Sequence, residues 1–367
     1  MSPADRTGPL HGLRVVVVAG IGPGPHACML LADHGAEVVR VERPGPALDE
    51  GFGFRQDAVN RGREVVTADL KSPGERDAVL ALVRCADVLV EGFHPGVAEP
   101  LGIGRQTCLA GNPRLVYARM TGWGQEGPLA QRAGHDLNYV ALTGILDDIG
   151  GAGQRPVPPL DLVGDFGGGS MFLVFGVLAA LWERERSGVV QVVDVAMVDG
   201  ASALAQMMWA MRGAGHGRPA GEPTCSTART RSTSTYACAD GRHVAVASLE
   251  PQFFDTLLAG LQVTAPGEQW DTATWPALRR LLCEAFADRT RDEWTVVFAE
   301  TDAWVTPVLT YDEALVDDHL VARGGFCRGS GVDQPMPTPR FSRAVRAEPT
   351  EPVHRSLDEV LHRWSAR

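Results

Sequence analysis

Four consecutive valines in LRVVVVAG, residues 13–20, leave this segment few places in a folded chain. A strand with one wet face alternates apolar and polar residues, whereas an unbroken β-branched run is buried on both faces. The segment therefore predicts a sheet with helices on both sides, and the residues after it fit that demand. A turn, IGPGP, leads into the helix pattern HACMLLADHG, closed by Gly35 as a C-cap. AEVVRVE (36–42) reads as the next strand, a helix lies around Gly74–Cys85, and ADVLVEGF (86–93) and RLVYARM (114–120) read as strands. This β-α-β rhythm predicts an α/β fold, a Rossmann-like parallel sheet. Further on come a helix from about Asp136, another from about Gly167 to Arg186, a strand over 189–197 and a helix over 200–213.

The texture then changes. RPAGEPTCSTARTRSTST (218–235) is polar and rich in Pro, Ser and Thr, the composition of a linker. TYACADGRHVAVASL predicts two strands around an Asp-Gly turn. Helix patterns at Pro251–Leu261, Trp275–Ala287 and Arg291–Glu300 and a strand AWVTPVLT complete a smaller α+β domain. The expected division is a large domain over 1–200 completed by 325–367, a linker over 201–225 and a small domain over 226–322. The tail from QPMPTPRFSR reads as extended, with a short helix near Leu357–Trp364.

A net charge of −11 over 367 residues argues against a nucleic-acid or anionic-membrane partner. The N-terminus has no signal-peptide pattern, and the longest apolar run, Met171–Trp182, is too short to span a bilayer. Seven dispersed cysteines read as reduced thiols of a cytoplasmic protein, and no His or Cys pair has metal-ligand spacing, so no metal is expected. The GIGPGP turn, with Glu42 twenty residues beyond Gly22, imitates a dinucleotide fingerprint. Pro23 and Pro25 remove two of the amides that would face a pyrophosphate, so a tight strand-to-helix turn is the better reading.

Two stretches are stronger candidates for chemistry. RAGHDLNY places His135, and LVGDFGGGS places Asp165, each in a glycine-flanked loop before an apolar helix pattern. An Asp there is most often an N-cap and a His an exposed loop residue. The glycines (Gly134; Gly164 and Gly167–Gly169) add a second reading, that a ligand approaches closely.

The residues GLRVVVVAGIGPGPHA, AEVVRVERPG, TADLKS, ADVLVEGF, ARMTGWGQEGP, AGHDLNY, LVGDFGGGSMF, DVAMVDG, YACADGRHVAV, LEPQFF and PMPTPRFSR together resemble the α-methylacyl-CoA racemases of the family III CoA-transferase superfamily. The resemblance runs over nearly the whole chain. It implies that His135 and Asp165 are the two catalytic acid/bases and that Glu250 of the EPQF motif supports the histidine from the small domain. It also implies an interlocked homodimer and a CoA-thioester substrate with no separate cofactor. Positions matching the CoA contacts are Ile21, Arg43, Ala68, Leu70 and the Gly134–Tyr139 segment, which includes Asp136 and Tyr139. His94 stands at the arginine of EGxRPGV, Val17 at the acidic residue of VVELAG and Asp161 at the asparagine of PPLNLVGDF. Transferases of the superfamily share the aspartate as a nucleophile but lack the histidine of GHD. A transferase, or a racemase-derived enzyme with a changed thioester substrate, is the alternative.

The implied reaction has a physical logic. A stereocentre α to a thioester carbonyl inverts when a proton leaves one face and another arrives on the opposite face. That requires two acid/bases and donors for the enolate oxygen, for which the amides around Asp165–Gly168 or those after His135 are the candidates. An aspartate that holds a proton near neutral pH must have its pKa raised by burial, and Asp161 is a second carboxylate placed to raise it further.

Overall fold

A computed structural model describes residues 8–18, 20–45, 58–150, 155–216, 233–329 and 331–366. The valine run forms β1 (Arg14–Val18), followed by α1 (Pro23–Asp33), β2 (Glu37–Glu42), β3 (Glu64–Thr67), α2 (Pro73–Arg84), β4 (Val88–Glu91), α3 (Arg105–Gly111) and β5 (Val116–Thr121). Then come α4 (Asp136–Leu142), α5 (Ile145–Asp148), a π-helix (Leu162–Met171) continuous with α6 (Phe172–Ser187), β6 (Val192–Ala196), α7 (Met197–Leu204) and α8 (Gln206–Met211). Beyond three strands and three helices of the second unit, described below, come α12 (Tyr311–Val316), α13 (Asp318–Ala322), β10 (Phe326–Gly329), β11 (Val332–Pro335), a two-residue strand β12 (Val353–His354) and, last among the described residues, α14 (Leu357–Ser365).

Seven of these strands form one sheet in the order β12-β3-β2-β1-β4-β5-β6, each neighbouring pair parallel. Val15 and Val17 point into a core with Cys28, Leu31 and Val177, and Val16 and Val18 into a second core with Leu82, Tyr117 and Trp364. The double burial read from the valine run is present. Each buried valine contributes about 1.5–3 kcal/mol, so β1 is the strand about which both faces are organised. The tail returns to this sheet through β12. Trp364 is buried, its Nε1 donating to Glu37 Oε2 at 3.2 Å and its carbonyl accepting from Arg14 Nη1 at 2.9 Å.

The chain divides into two units, one of residues 1–147, 157–215 and 324–367, the other of 148–156 and 216–323. In the second, β7 (Thr233–Ala237), β8 (His243–Ala247) and β9 (Val305–Pro307) form an antiparallel sheet. Packed with it are α9 (Pro251–Leu261), α10 (Trp275–Phe286) and α11 (Arg291–Phe298), around Tyr236, Phe254, Phe286, Trp294 and Phe298. The hairpin turn has Gly241 at φ +76°, as its Asp-Gly sequence requires.

Three readings need correction. The linker set at 201–225 begins too early, because α7, α8 and a wide turn keep the chain helical to His216. Residues 217–225, like most of the polar stretch 218–235, lie outside the described residues. The helix expected from Gly167 starts at Leu162, so Asp165 lies inside a helix and not in a loop before one. The joined helical run Leu162–Ser187 is 26 residues, long and apolar enough by length and composition to cross a membrane, where the apolar run alone was too short. Its first ten residues are packed by glycines against α7 and α1 within this domain.

Candidate active site

The sheet order reverses direction between β1 and β4, and in open parallel sheets ligands bind beyond the carboxyl ends of the strands at such a point. A cleft of about 350 Å³ lies there. It is lined by the ends of β1, β4 and β5, the turn from Gly20 to Pro25, the loop from Gly92 to Pro95, and His135, Tyr139 and Asp165. The two candidate acid/bases therefore face one cavity although 30 residues of chain separate them.

His135 reaches it as the N-cap of α4, with extended backbone and its amide donating to Asn138 Oδ1 at 3.1 Å. The residue is exposed. Its loop is fixed from behind by Tyr139, whose ring meets Trp123 edge-on at 4.8 Å and whose hydroxyl donates to the Gly134 carbonyl. A Cβ on Gly134 would lie 2.8 Å from the Tyr139 ring, so this glycine makes room for the tyrosine.

Asp165 is held differently. The chain enters the π-helix through two left-handed residues, Leu160 (φ +59°) and Asp161 (φ +58°), and the Phe166 amide donates five residues back to the Asp161 carbonyl at 3.2 Å. Such wide turns are rare and concentrate at functional sites. Asp136, the first residue of α4 and buried, accepts the Asp165 amide on Oδ1 at 2.7 Å and also bonds the Gly164 amide. A Cβ on Gly164 would overlap that carboxylate. Gly168 lies against Gly200 and Ala201 of α7, and Gly169 against Pro23 of α1. These glycines therefore serve close helix packing, and the expectation that they open a path for a ligand is corrected. The helix-start amide of Asp165 is likewise occupied by Asp136 and is not a donor for an enolate oxygen.

Burial pushes the Asp165 carboxyl up to about 7, with the charges of Asp136 and then Asp161 adding to it. Asp161 acts in the expected direction, but the larger electrostatic contribution is from Asp136. Burial also raises the Asp136 pKa, opposed by the Asp165 amide it accepts. Tyr139 is pushed up to about 12 by burial and then by Asp165 and Asp136, so its phenol stays protonated.

Of the expected CoA-contacting positions, Ile21, His94, Gly134 and Tyr139 line the cleft. Arg43 is exposed just beyond β2, and Ala68 and Leu70 are buried in the sheet core, with the Ala68 amide donating to the Glu42 carbonyl at 2.8 Å. Asp136 departs from its expected place among the contacts, because its carboxylate is turned inward to the π-helix. Glu250 is the exposed N-cap of α9 in the second unit. Residues not anticipated on the lining include Phe93, Thr121, Trp123, Arg132 and Met197. Thr121 closes β5 and Met197 opens the helix after β6, so a rule that reads strand ends would have marked both.

The model of CoA-transferase family III matches residues 10–356. The chain is 42% identical over 362 residues to the α-methylacyl-CoA racemase of Mus musculus, covering 97% of this chain and 93% of the relative. It is 39% identical over 334 residues to the human enzyme of the same name, covering 90% and 86%. Among solved structures, a CaiB/BaiF family protein from Brucella suis superposes with a TM-score of 0.80 at 28% identity, covering 95% of this chain and 97% of that one.

Proposed function

The chain belongs to CoA-transferase family III, and from that premise we propose that it is an isomerase, a racemase that inverts the α-carbon of a 2-methylacyl-CoA thioester. The observation that supports this most is the pairing in one cleft of His135 with an aspartate whose pKa is raised to about 7. A general acid or base works best when its pKa lies near the working pH. Two acid/bases of unlike type take a proton from one face of the α-carbon and return one to the other.

In this scheme one residue removes the α-proton while the other holds its own, and the thioester becomes an enolate whose charge lies on oxygen. Gly24 lines the cleft and keeps the first-turn N–H of α1 that Pro23 and Pro25 lack. The amides of Asp136 and Leu137, the first two of α4, are further candidate donors, whereas the Asn138 amide is taken by the His135 carbonyl at 2.8 Å. Removal of one such donor typically costs about 10²–10³ in rate. The second residue then protonates the opposite face. Asp165, half-buried and partly protonated at neutral pH, serves in either direction.

On the CoA side we assign Ile21, His94 and the Gly134–Tyr139 backbone to the thioester arm, and Arg43 to the phosphates, where a guanidinium fork suits the geometry. A homodimer is part of the same proposal. The exposed Leu162, Met171, Phe175 and Trp182, with Leu204, Met207 and Trp209 of α7 and α8, form an apolar surface that a second copy would cover. Sedimentation at micromolar concentration is expected to give twice the chain mass.

A single epimer of a 2-methylacyl-CoA, followed by chiral chromatography of the hydrolysed acid, tests the function. Accumulation of the other epimer, with no acyl hydroxamate formed from the enzyme when hydroxylamine is added, is expected. An acyl group trapped at Asp165, with CoA passed on to a second free acid, would instead mark a transferase using Asp165 as nucleophile.

A further inference from the structure

The π-helix that carries Asp165 is held by α1 along a row of three contacts. Gly22, the N-cap of α1, lies beside the Asp165 carboxylate, where a Cβ would come within 2.8 Å of Oδ2. Pro23 meets Gly169. One turn further along α1, His26 places Nδ1 2.7 Å from the hydroxyl of Ser170, a fully buried residue, and its ring 4.7 Å from the ring of Phe166. In a helix closed by i→i+5 bonds, Ser170 follows Asp165 by one turn on the same row. His26 thus grips the residue directly after Asp165 and the one stacked on it. Burial, and then the charges of Arg61 and Arg63, lower the His26 pKa and favour the neutral imidazole.

The segment needs a lock from outside. Glycines at 164, 167, 168 and 169 each weaken a helix by roughly 0.5–1 kcal/mol relative to alanine, and i→i+5 turns are rare and mostly confined to single turns. In an α-helical register Gly169, not Ser170, would follow Asp165 by a turn, and the carboxylate would rotate away from the cleft. We propose that His26 is a positioning residue for Asp165, fixing the wide-turn register through the Ser170 hydroxyl and the Phe166 ring. The proposal rests on the racemase reading for its kinetic consequence but not for its structural one.

The experiment compares the wild type with His26→Ala, His26→Phe and His26→Asn. Asn puts a side-chain polar atom near the place of Nδ1, and Phe keeps the ring contact alone. Relocation of a reacting group by about 1 Å costs up to 10²-fold. A fall in kcat of roughly 10-fold to 100-fold is therefore expected for His26→Ala, with KM for the CoA thioester little changed and most of the loss recovered in His26→Asn. The primary α-deuterium isotope effect should rise only for the epimer whose proton Asp165 removes, identified as the one that an Asp165→Asn enzyme cannot exchange. The Asp165 titration, read by carboxyl ¹³C NMR without substrate, should move down from about 7 in His26→Ala as water enters. Isotope effects changed equally for both epimers, together with an unmoved titration, would overturn the proposal. If His26→Ala does not fold, the same two readouts on His26→Phe and His26→Asn decide it. A wild type that never exchanges the α-proton ends the racemase reading, and the titration still decides the role of His26.

Discussion

The loop before α4 and the helical turn before α6 look alike in sequence: glycine, an ionisable residue, then an apolar helix. In the folded chain they are opposites. His135 stands at a helix start, exposed, its glycine making room for a tyrosine behind it. Asp165 sits inside a π-helix, its glycines filled by the backbone of α7 and the ring of Pro23. An aspartate begins near 3.9, and here its surroundings raise it to about 7. The fold spends its tight packing on the one that has to be changed.

Removing either base is the largest perturbation of that pair. Asp165→Asn and His135→Gln should each lower racemisation by about 10²–10⁴-fold. Each variant should keep slow exchange of the α-proton from one epimer only, and a different one in the two cases. Loss of exchange from the same epimer in both would break the assignment of one residue to each face.

The packing half of the comparison is tested at Gly200. A Cβ there would overlap the Gly168 carbonyl, and overpacking of this kind costs typically about 1–3 kcal/mol. Gly200→Ala should therefore lower the melting temperature, whereas Gly213→Ala, where a Cβ meets nothing within 4 Å, should leave it near the wild-type value. A variant at Gly200 with full stability and a raised KM would return the glycines to the role of ligand access.

Stability against pH reads the same contrast. A carboxyl raised in the folded state from the ordinary range to about 7 stabilises the fold most when protonated. That contribution is complete below about pH 4 and is lost as pH rises through 7. The melting temperature of Asp165→Asn should gain on that of the wild type between those limits, and a variant that loses ground to the wild type as pH rises would contradict the sign.

Smaller effects sharpen the cause. Asp136 and Asp161 both push the Asp165 carboxyl upward, Asp136 more strongly. Asp136→Asn should move the Asp165 limb of the kcat–pH profile to lower pH, and Asp161→Asn should move it in the same direction by less. Superimposed profiles for Asp161→Asn would show that an exposed carboxylate is screened out entirely.

Much of this contrast was hidden in the sequence. The double-faced burial of β1, the parallel sheet and the hairpin of the second unit followed from residue pattern alone, because strand periodicity and turn chemistry are local. β3 is not legible in the sequence because EVVT is four residues with no alternation to read. The positions of His135 and Asp165 were visible as residues in a motif, but the π-helix was not. It arises from tertiary contacts, Asp136 on two amides and α7 on Gly168, that bring together residues 28 or more apart in the chain. For the same reason the sequence alone places Asp136 among the ligand contacts and His26 in an ordinary helix.

The central claim is that two different residues serve two faces of one carbon. Incubation of one epimer of a 2-methylacyl-CoA with the enzyme in D₂O, stopped within the first few per cent of conversion, tests it by the position of the label in each recovered epimer. Two bases predict deuterium at the α-carbon of the inverted epimer while the unconverted epimer still carries protium. Deuterium appearing first, or equally fast, in the retained epimer would mean that a single group returns the proton to the face it came from, and would contradict the pairing of His135 with Asp165.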